Sequence, residues 1–292
     1  MTDFLEQVIA ERRADVARDR AAVSEEELLA SAKENVLSRS LGGGLRAWRT
    51  GYDGFSAALR ARPWGQIAVI AEVKRVSPAL GVLDADLDPA TLAQWYTRAG
   101  ATAISVLTEP RHWGGSLGDL AAVRDVVPSL PILCKDVIVD EFQIVQARAA
   151  GADAVLLIAE ALSDDELRRF IDRANHLGMG VLLEAHEPVA FGRAVATGTP
   201  IVGVNARNLR RPREIDIGRA RQLHTFVRDH QVLVAESGIT SVEDVRMLPA
   251  RVAAVLIGSA LVLAGDPEPL IHGILSIHRE PLAVKAATRR RS

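Results

Sequence analysis

Eight short runs rich in Val, Ile and Leu recur at residues 67–74, 103–109, 131–138, 154–160, 180–186, 201–207, 231–238 and 254–261, and their spacing constrains the fold more than anything else in the chain. Each run is short and apolar enough to be a strand buried on both faces. The segments between them carry helical periodicity and helix-end signals, so strands alternate with helices, and that favours a parallel sheet. The runs begin 21 to 36 residues apart, a length that fits one βα unit. Eight such units close into a barrel without an exposed edge. The expected fold is therefore α/β, a (β/α)8 TIM barrel, with an open doubly wound sheet as the alternative.

Two helices are marked clearly. Asp140 with Gln143, and Ser163 with Glu166, form capping-box patterns, while Gly151 and Gly178 stand where helices should stop. After Ser163, residues Leu167, Phe170, Ile171, Ala174 and Leu177 share one helical face, the face expected to lie on the barrel. Residues 1–60 precede the first strand and read as an N-terminal helical extension packed on the barrel. There Phe4, Leu5, Val8 and Ile9 fall on one face, and Ser24 with Glu27 forms another capping box. The barrel is expected over 61–280, followed by a flexible basic tail over 281–292 that ends in three arginines. The Gly42-Gly43-Gly44 tract is the sole low-complexity stretch.

The 292 residues suit one such barrel. With 35 basic against 37 acidic residues, no field is present to attract nucleic acid or anionic lipid. Cys134 is the only cysteine, so no internal disulfide can form and the expected location is cytoplasmic. The first residues carry Asp3, Glu6 and Glu11 among the apolar positions, unlike a secretory signal, and no run reaches the roughly 20 apolar residues of a membrane span. A weak homo-oligomer is compatible with all of this. The ligand has to be read from a site.

In such a barrel, chemistry gathers where strands end. Strand 1 ends in Glu72-Val73-Lys74, and the two-residue period sends both charged side chains to the same side, into the mouth. Lys135 ends strand 3, Glu184 and His186 end strand 5, Asn205 and Arg207 end strand 6, and Glu236-Ser237-Gly238 ends strand 7. Glu72 and Lys74 alone would suit an ion pair that plugs the barrel. The arrival of Lys135 and Glu184 from other strands favours a reactive set instead, because each buried charge costs several kcal/mol unless paired.

Paired glycine turns, Ser237-Gly238 after strand 7 and Gly258-Ser259 after strand 8, free backbone N–H groups to face an anion, the usual phosphate position in these barrels. The expected ligand is a small phosphorylated molecule. Metal catalysis has little support, since only Glu184 and His186 place two ligand types on one strand. Neither a nucleotide-binding G-x-G-x-x-G after a strand nor a G-x-S-x-G nucleophile turn occurs.

Taken together, IAEVKRVSPALG, ISVLTEPRHWGGSL, PILCKDVIVDEFQI, GADAVLLIAEAL, VLLEAHEP, VGVNARNL, VAESGI and VLIGSALV resemble the indole-3-glycerol-phosphate synthase family of tryptophan biosynthesis. The likeness runs over most of residues 67–265. It implies ring closure of 1-(2-carboxyphenylamino)-1-deoxyribulose 5-phosphate with loss of carbon dioxide and water, and no cofactor. By the same likeness Lys135 is the general acid, Lys74 held by Glu72 steadies the carboxylate or assists a later proton transfer, and Glu184 is the base for dehydration. Asn205 and Ser237 orient substrate groups. Ser77, Gly238, Gly258 and Ser259 hold the phosphate, and Pro78, Trp113, Val137, Arg207 and Leu209 wall the aromatic pocket. The acid role calls for a lysine pKa lowered by burial or by a neighbouring cation, and two lysines in one mouth are expected to provide that.

The chain departs from the family pattern at Val137, where Phe is usual after Lys-Asp, at Ala79 in place of Ser or Thr, and at Ala185 in place of Val. After Leu209 it reads RRPREID, a longer and more basic segment than the family usually carries. None of these touches a proposed proton-transfer residue. The alternatives are the same reaction on a substituted anthranilate adduct, a barrel that binds a phosphorylated ligand without catalysis, and a Schiff-base lyase using Lys74 or Lys135.

Overall fold

The structure, a computed structural model, describes residues 3–41, 54–62 and 65–279. The expected tail at 281–292 and the Gly42-Gly43-Gly44 tract lie outside the described residues. Eight parallel strands form a closed barrel: β1 (Ala68–Val73), β2 (Ala103–Leu107), β3 (Ile132–Lys135), β4 (Ala154–Ile158), β5 (Gly180–Ala185), β6 (Ile201–Asn205), β7 (Val232–Glu236) and β8 (Val252–Ile257). Strand β1 pairs with both β2 and β8, which completes the ring. No helix among the described residues is long and apolar enough to cross a membrane.

Alternation along each strand decides what a side chain meets. On β1, Ala68 and Ile70 pack inside the barrel while Val69 and Ala71 pack under the helices, and Leu133, Leu156, Leu182, Ile201, Val234 and Leu256 share the interior. Burying one such aliphatic side chain stabilises the fold by about 1.5–3 kcal/mol. One pleat further toward the C-terminal mouth, the interior row changes chemistry: it reaches Glu72, Lys135, Glu184, Glu236 and, past Gly203, Asn205. All but half-buried Lys135 are buried.

The helices begin where the sequence signals said. The Asp140 capping box opens α6 (Glu141–Ala149) and the Ser163 box opens α7 (Asp164–His176). Leu167, Phe170 and Ala174 of α7 are buried, and Ile171 and Leu177 pack partly on the core. The remaining outer helices are α4 (Pro89–Arg98), α5 (Leu117–Val126), α8 (Pro188–Ala196), α9 (Arg219–Leu223), α10 (Val242–Arg246), α11 (Ser259–Leu263) and α12 (Glu268–Leu275).

Three helices precede the barrel: α1 (Phe4–Ala22), α2 (Glu25–Leu41), which opens with the Ser24–Glu27 box, and α3 (Gly54–Arg60). Phe55 and Leu59 of α3 join the interior cluster at one end of the barrel, and Leu5 and Val8 of α1 join it beside Val137 and Val139 at the other. The face of α1 is not purely apolar, because Arg12 and Asp15 are buried on it too. Arg12 clasps Asp136 through two hydrogen bonds of 2.9 and 3.0 Å, which ties α1 to the residue after Lys135.

Candidate active site

A cavity of about 280 Å3 opens at the C-terminal mouth. All fifteen site residues expected from sequence line it: Glu72, Lys74, Lys135, Glu184, Asn205 and Ser237 at its floor and sides, Ser77, Gly238, Gly258 and Ser259 together, and Pro78, Trp113, Val137, Arg207 and Leu209. Glu72, Lys135, Glu184 and Asn205 reach it from the interior row of the strands, and the others from the segments that follow the strand ends.

Lys135 Nζ stands 3.0 Å from Glu184 Oε2 and 2.9 Å from Glu236 Oε2. Asn205 Nδ2 donates to Glu184 Oε1 at 3.2 Å, so Glu184 is held from both sides. Burial by itself would lower the Lys135 pKa, yet the charges of Glu184, Glu236 and Glu72 outweigh it and hold the ammonium above its ordinary range. The expected lowering is thus reversed, because the neighbours that reach this lysine are carboxylates and not the second lysine. Glu236 carries the opposite perturbation: burial, opposed by Lys135 and reinforced by Glu184, pushes its carboxyl up to about 8. Burial thus makes Glu236 hold a proton more tightly than an ordinary carboxyl, beside a lysine that holds its own. Its Oε1 is buried with no hydrogen-bond partner among the described residues, an arrangement that penalises the ionised form.

Glu236 was not assigned a role from sequence. The signal was available, since Val232 and Val234 set the inward register of β7 and Glu236 continues it. Gly203 was also missed. It faces inward on β6, and a Cβ there would overlap Glu236 Oε1 and crowd Glu184. The missing side chain is the space those two carboxyl groups occupy.

Lys74 Nζ pairs with Glu72 Oε1 at 2.7 Å at the end of β1. A Cβ at Gly258 would overlap Glu72 Oε1 and stand 2.8 Å from Lys74 Nζ, so this glycine makes room for the pair besides starting α11. Ser237 has φ of 64°, the only positive φ outside glycine among the described residues, and Gly238 follows at 73°. A left-handed serine is strained by about 1–3 kcal/mol, a cost that persists where the surroundings or function demand it. The first N–H groups of α11 have no acceptor within the helix and lie at the cavity beside buried Ser77.

The apolar side is built by loops that α1 holds down. Glu109 is fully buried and accepts the backbone N–H groups of Arg111, His112 and Trp113, which shapes the loop after β2. Trp113 then sits 6.0 Å from the Phe4 ring of α1, and His112 pairs with Glu11 at 2.6 Å. Val137 is buried at the cavity wall. The loop after β6 folds back as Arg207 bridges Ile215, which brings Pro212 and Ile215 to the cavity. Two of its basic residues are paired locally: Arg210 with Asp3 of the α1 cap, and Arg211 with Glu214 at 3.1 Å. Arg207 is anchored on the Pro212 carbonyl, so it serves the loop as well as the pocket. His186 does not face the mouth with Glu184. Its Nδ1 lies 2.8 Å from the Asn205 carbonyl and its Nε2 3.3 Å from Arg219.

A family model described as indole-3-glycerol phosphate synthase matches residues 5–274. The chain is 52% identical over 211 residues to the indole-3-glycerol phosphate synthase of Nocardioides sp., covering 72% of this chain and 80% of that protein. To the enzyme of that name from Kineococcus radiotolerans it is 40% identical over 283 residues, 97% of this chain and 98% of the relative. Among solved structures, 3-hexulose-6-phosphate synthase from Salmonella typhimurium superposes with a TM-score of 0.57 at 16% identity, over 72% of this chain and 98% of that one, a likeness of fold alone. With a match along nearly its whole length and a mouth furnished at every strand end that carries the resemblance, the chain belongs to the indole-3-glycerol phosphate synthase family.

Proposed function

We propose that this enzyme closes the indole ring of 1-(2-carboxyphenylamino)-1-deoxyribulose 5-phosphate, with loss of carbon dioxide and water, to give indole-3-glycerol phosphate. The observation that carries the reading is Lys135 held between Glu184 and Glu236 in a cavity that also presents Lys74 and the glycine turns. As the ring carbon attacks the ketone, negative charge grows on its oxygen, and a fixed ammonium there stabilises that charge. An alkoxide is far more basic than an amine, so Lys135 gives up its proton at this stage even with its pKa held high. Glu236, 2.9 Å away and with its carboxyl pushed up by burial, is the group placed to return that proton. Glu184, oriented by Asn205, serves as base in the dehydration.

Lys74, held by Glu72, suits the substrate carboxylate, whose charge leaves as carbon dioxide. Ser77, Gly238, Gly258 and Ser259 suit the phosphate, Ser237 orients the polyol, and the wall of Pro78, Trp113, Val137, Arg207 and Leu209 takes the aromatic ring. A Schiff base at Lys135 is disfavoured, since that chemistry needs a neutral amine. One observation favours a second reading: Val137 leaves more of the wall open than a Phe would, which admits a ring-substituted adduct. The test is fluorescence-detected indole formation by the wild type and Lys135→Ala, on unsubstituted and ring-substituted adducts. Turnover lost in the variant supports the assignment. No turnover of either adduct by folded wild type refutes it.

A further inference from the structure

Behind the floor of the mouth lies a second, small cavity of about 10 Å3, room for about one water. Glu160, Glu184, His186, Glu187, Asn205 and Leu209 line it. Glu184, Asn205 and Leu209 also line the main cavity, so they form the partition between the two. Glu160 follows β4 and is fixed at the far wall: its Oε1 accepts the backbone N–H groups of His186 at 2.7 Å and Glu187 at 2.8 Å. Burial, and then the charge of Glu184, push its carboxyl above the ordinary range against the pull of those two donors.

The proposed reaction sets a requirement that this geometry meets. The substrate enters as a carboxylate and leaves as neutral carbon dioxide, water and the indole product. Charge balance therefore requires one proton from solvent in every turnover. The substrate itself fills the mouth through which that proton would otherwise come. We propose that Glu160 relays this proton from solvent, through the second cavity, to Glu184 and on to Lys135 and Glu236. Glu160 does not touch substrate and acts through Glu184. The other charged groups around it are His186 and Glu187 at the end of β5, Arg210 of the loop after β6, and Arg193 of α8, which binds the Ala159 and Leu162 carbonyls on either side of Glu160. His186 is held by the Asn205 carbonyl at Nδ1 and faces Arg219 at Nε2. The inference rests on the reaction assigned above.

The experiment compares wild type, Glu160→Gln and Glu160→Ala in steady-state and single-turnover indole formation from about pH 6 to about pH 9, at rising formate concentration. Gln keeps an oxygen for the two backbone donors but cannot carry the proton. Expected for Glu160→Gln is a roughly tenfold fall in kcat and in the single-turnover rate, with KM within about twofold of wild type and the loss deepening as pH rises. Expected for Glu160→Ala is a similar fall, with kcat partly restored by formate while wild type ignores it. Wild-type rates in Glu160→Gln at every pH overturn the relay. So does a loss that comes with a lowered melting temperature and no formate rescue in Glu160→Ala, the mark of a structural role. Absence of turnover by wild type overturns the reaction assignment instead.

Discussion

The two lysines of the mouth stand in different company. Lys135 is gripped by two carboxyl groups, one of them pushed up by burial, and the backbone after it is pinned by α1 through Arg12 and Asp136. Lys74 has one carboxylate partner, in space left by a glycine, on a strand followed by a small hairpin of Val76–Ser77 with Gly81–Val82. The first arrangement fits repeated proton exchange at one fixed atom. The second fits a charge that meets a substrate group and lets it go. Residue type alone does not separate the two roles; the number of acidic partners and the rigidity behind each lysine do.

The sharpest way to break this contrast is to remove each ammonium in turn. Lys135→Met is expected to lower kcat by at least about a thousandfold, whereas Lys74→Met raises KM and lowers kcat by a smaller factor. Equal losses in kcat would erase the distinction. Next in size is the pin behind Lys135. Asp136 is buried, and Thr108 donates to it at 2.8 Å alongside Arg12. Arg12→Ala strands that carboxylate and should cost about 3–5 kcal/mol in urea unfolding, visible as a lower midpoint. Gly203→Ala should then reduce kcat roughly a hundredfold by displacing Glu236, while Gly258→Ala, crowding the Lys74 pair, mainly raises KM. The reverse pattern would exchange the two assignments.

The smallest effect is in stability against pH. An unfolded Glu236 loses its proton near its ordinary 4.5, and the folded one near about 8. The fold binds the extra proton between these values, so the contribution is full below the lower one and is lost as pH rises through the upper. Glu236→Gln removes that slope, so its advantage over wild type in thermal unfolding grows from about pH 5 to about pH 8, by a few kcal/mol at most. A constant difference between the proteins would show that Glu236 is ionised throughout.

Much of this was legible in the sequence for a physical reason. A strand's period of two carries its chemistry forward one pleat at a time, so Ala68 and Ile70 announce Glu72, and Leu182 announces Glu184. The same rule would have reached Glu236. What it could not reach lies across the chain: Arg12 meets Asp136 from 124 residues away, and the sign of the Lys135 perturbation depends on which charges come within 3 Å. The left-handed Ser237 and the folded loop after β6 belong to the same group, because neither follows a period.

At Gly203 and Gly258 the floor of the mouth is bare main chain, with no side chain to trim and no space to add one. The adaptable matter is in the wall, at Val137, Trp113, Leu209 and Pro212. A lineage or a laboratory selecting for new ring substituents would thus find its beneficial substitutions in the wall, with the two floor glycines as silent boundaries on what the pocket can become.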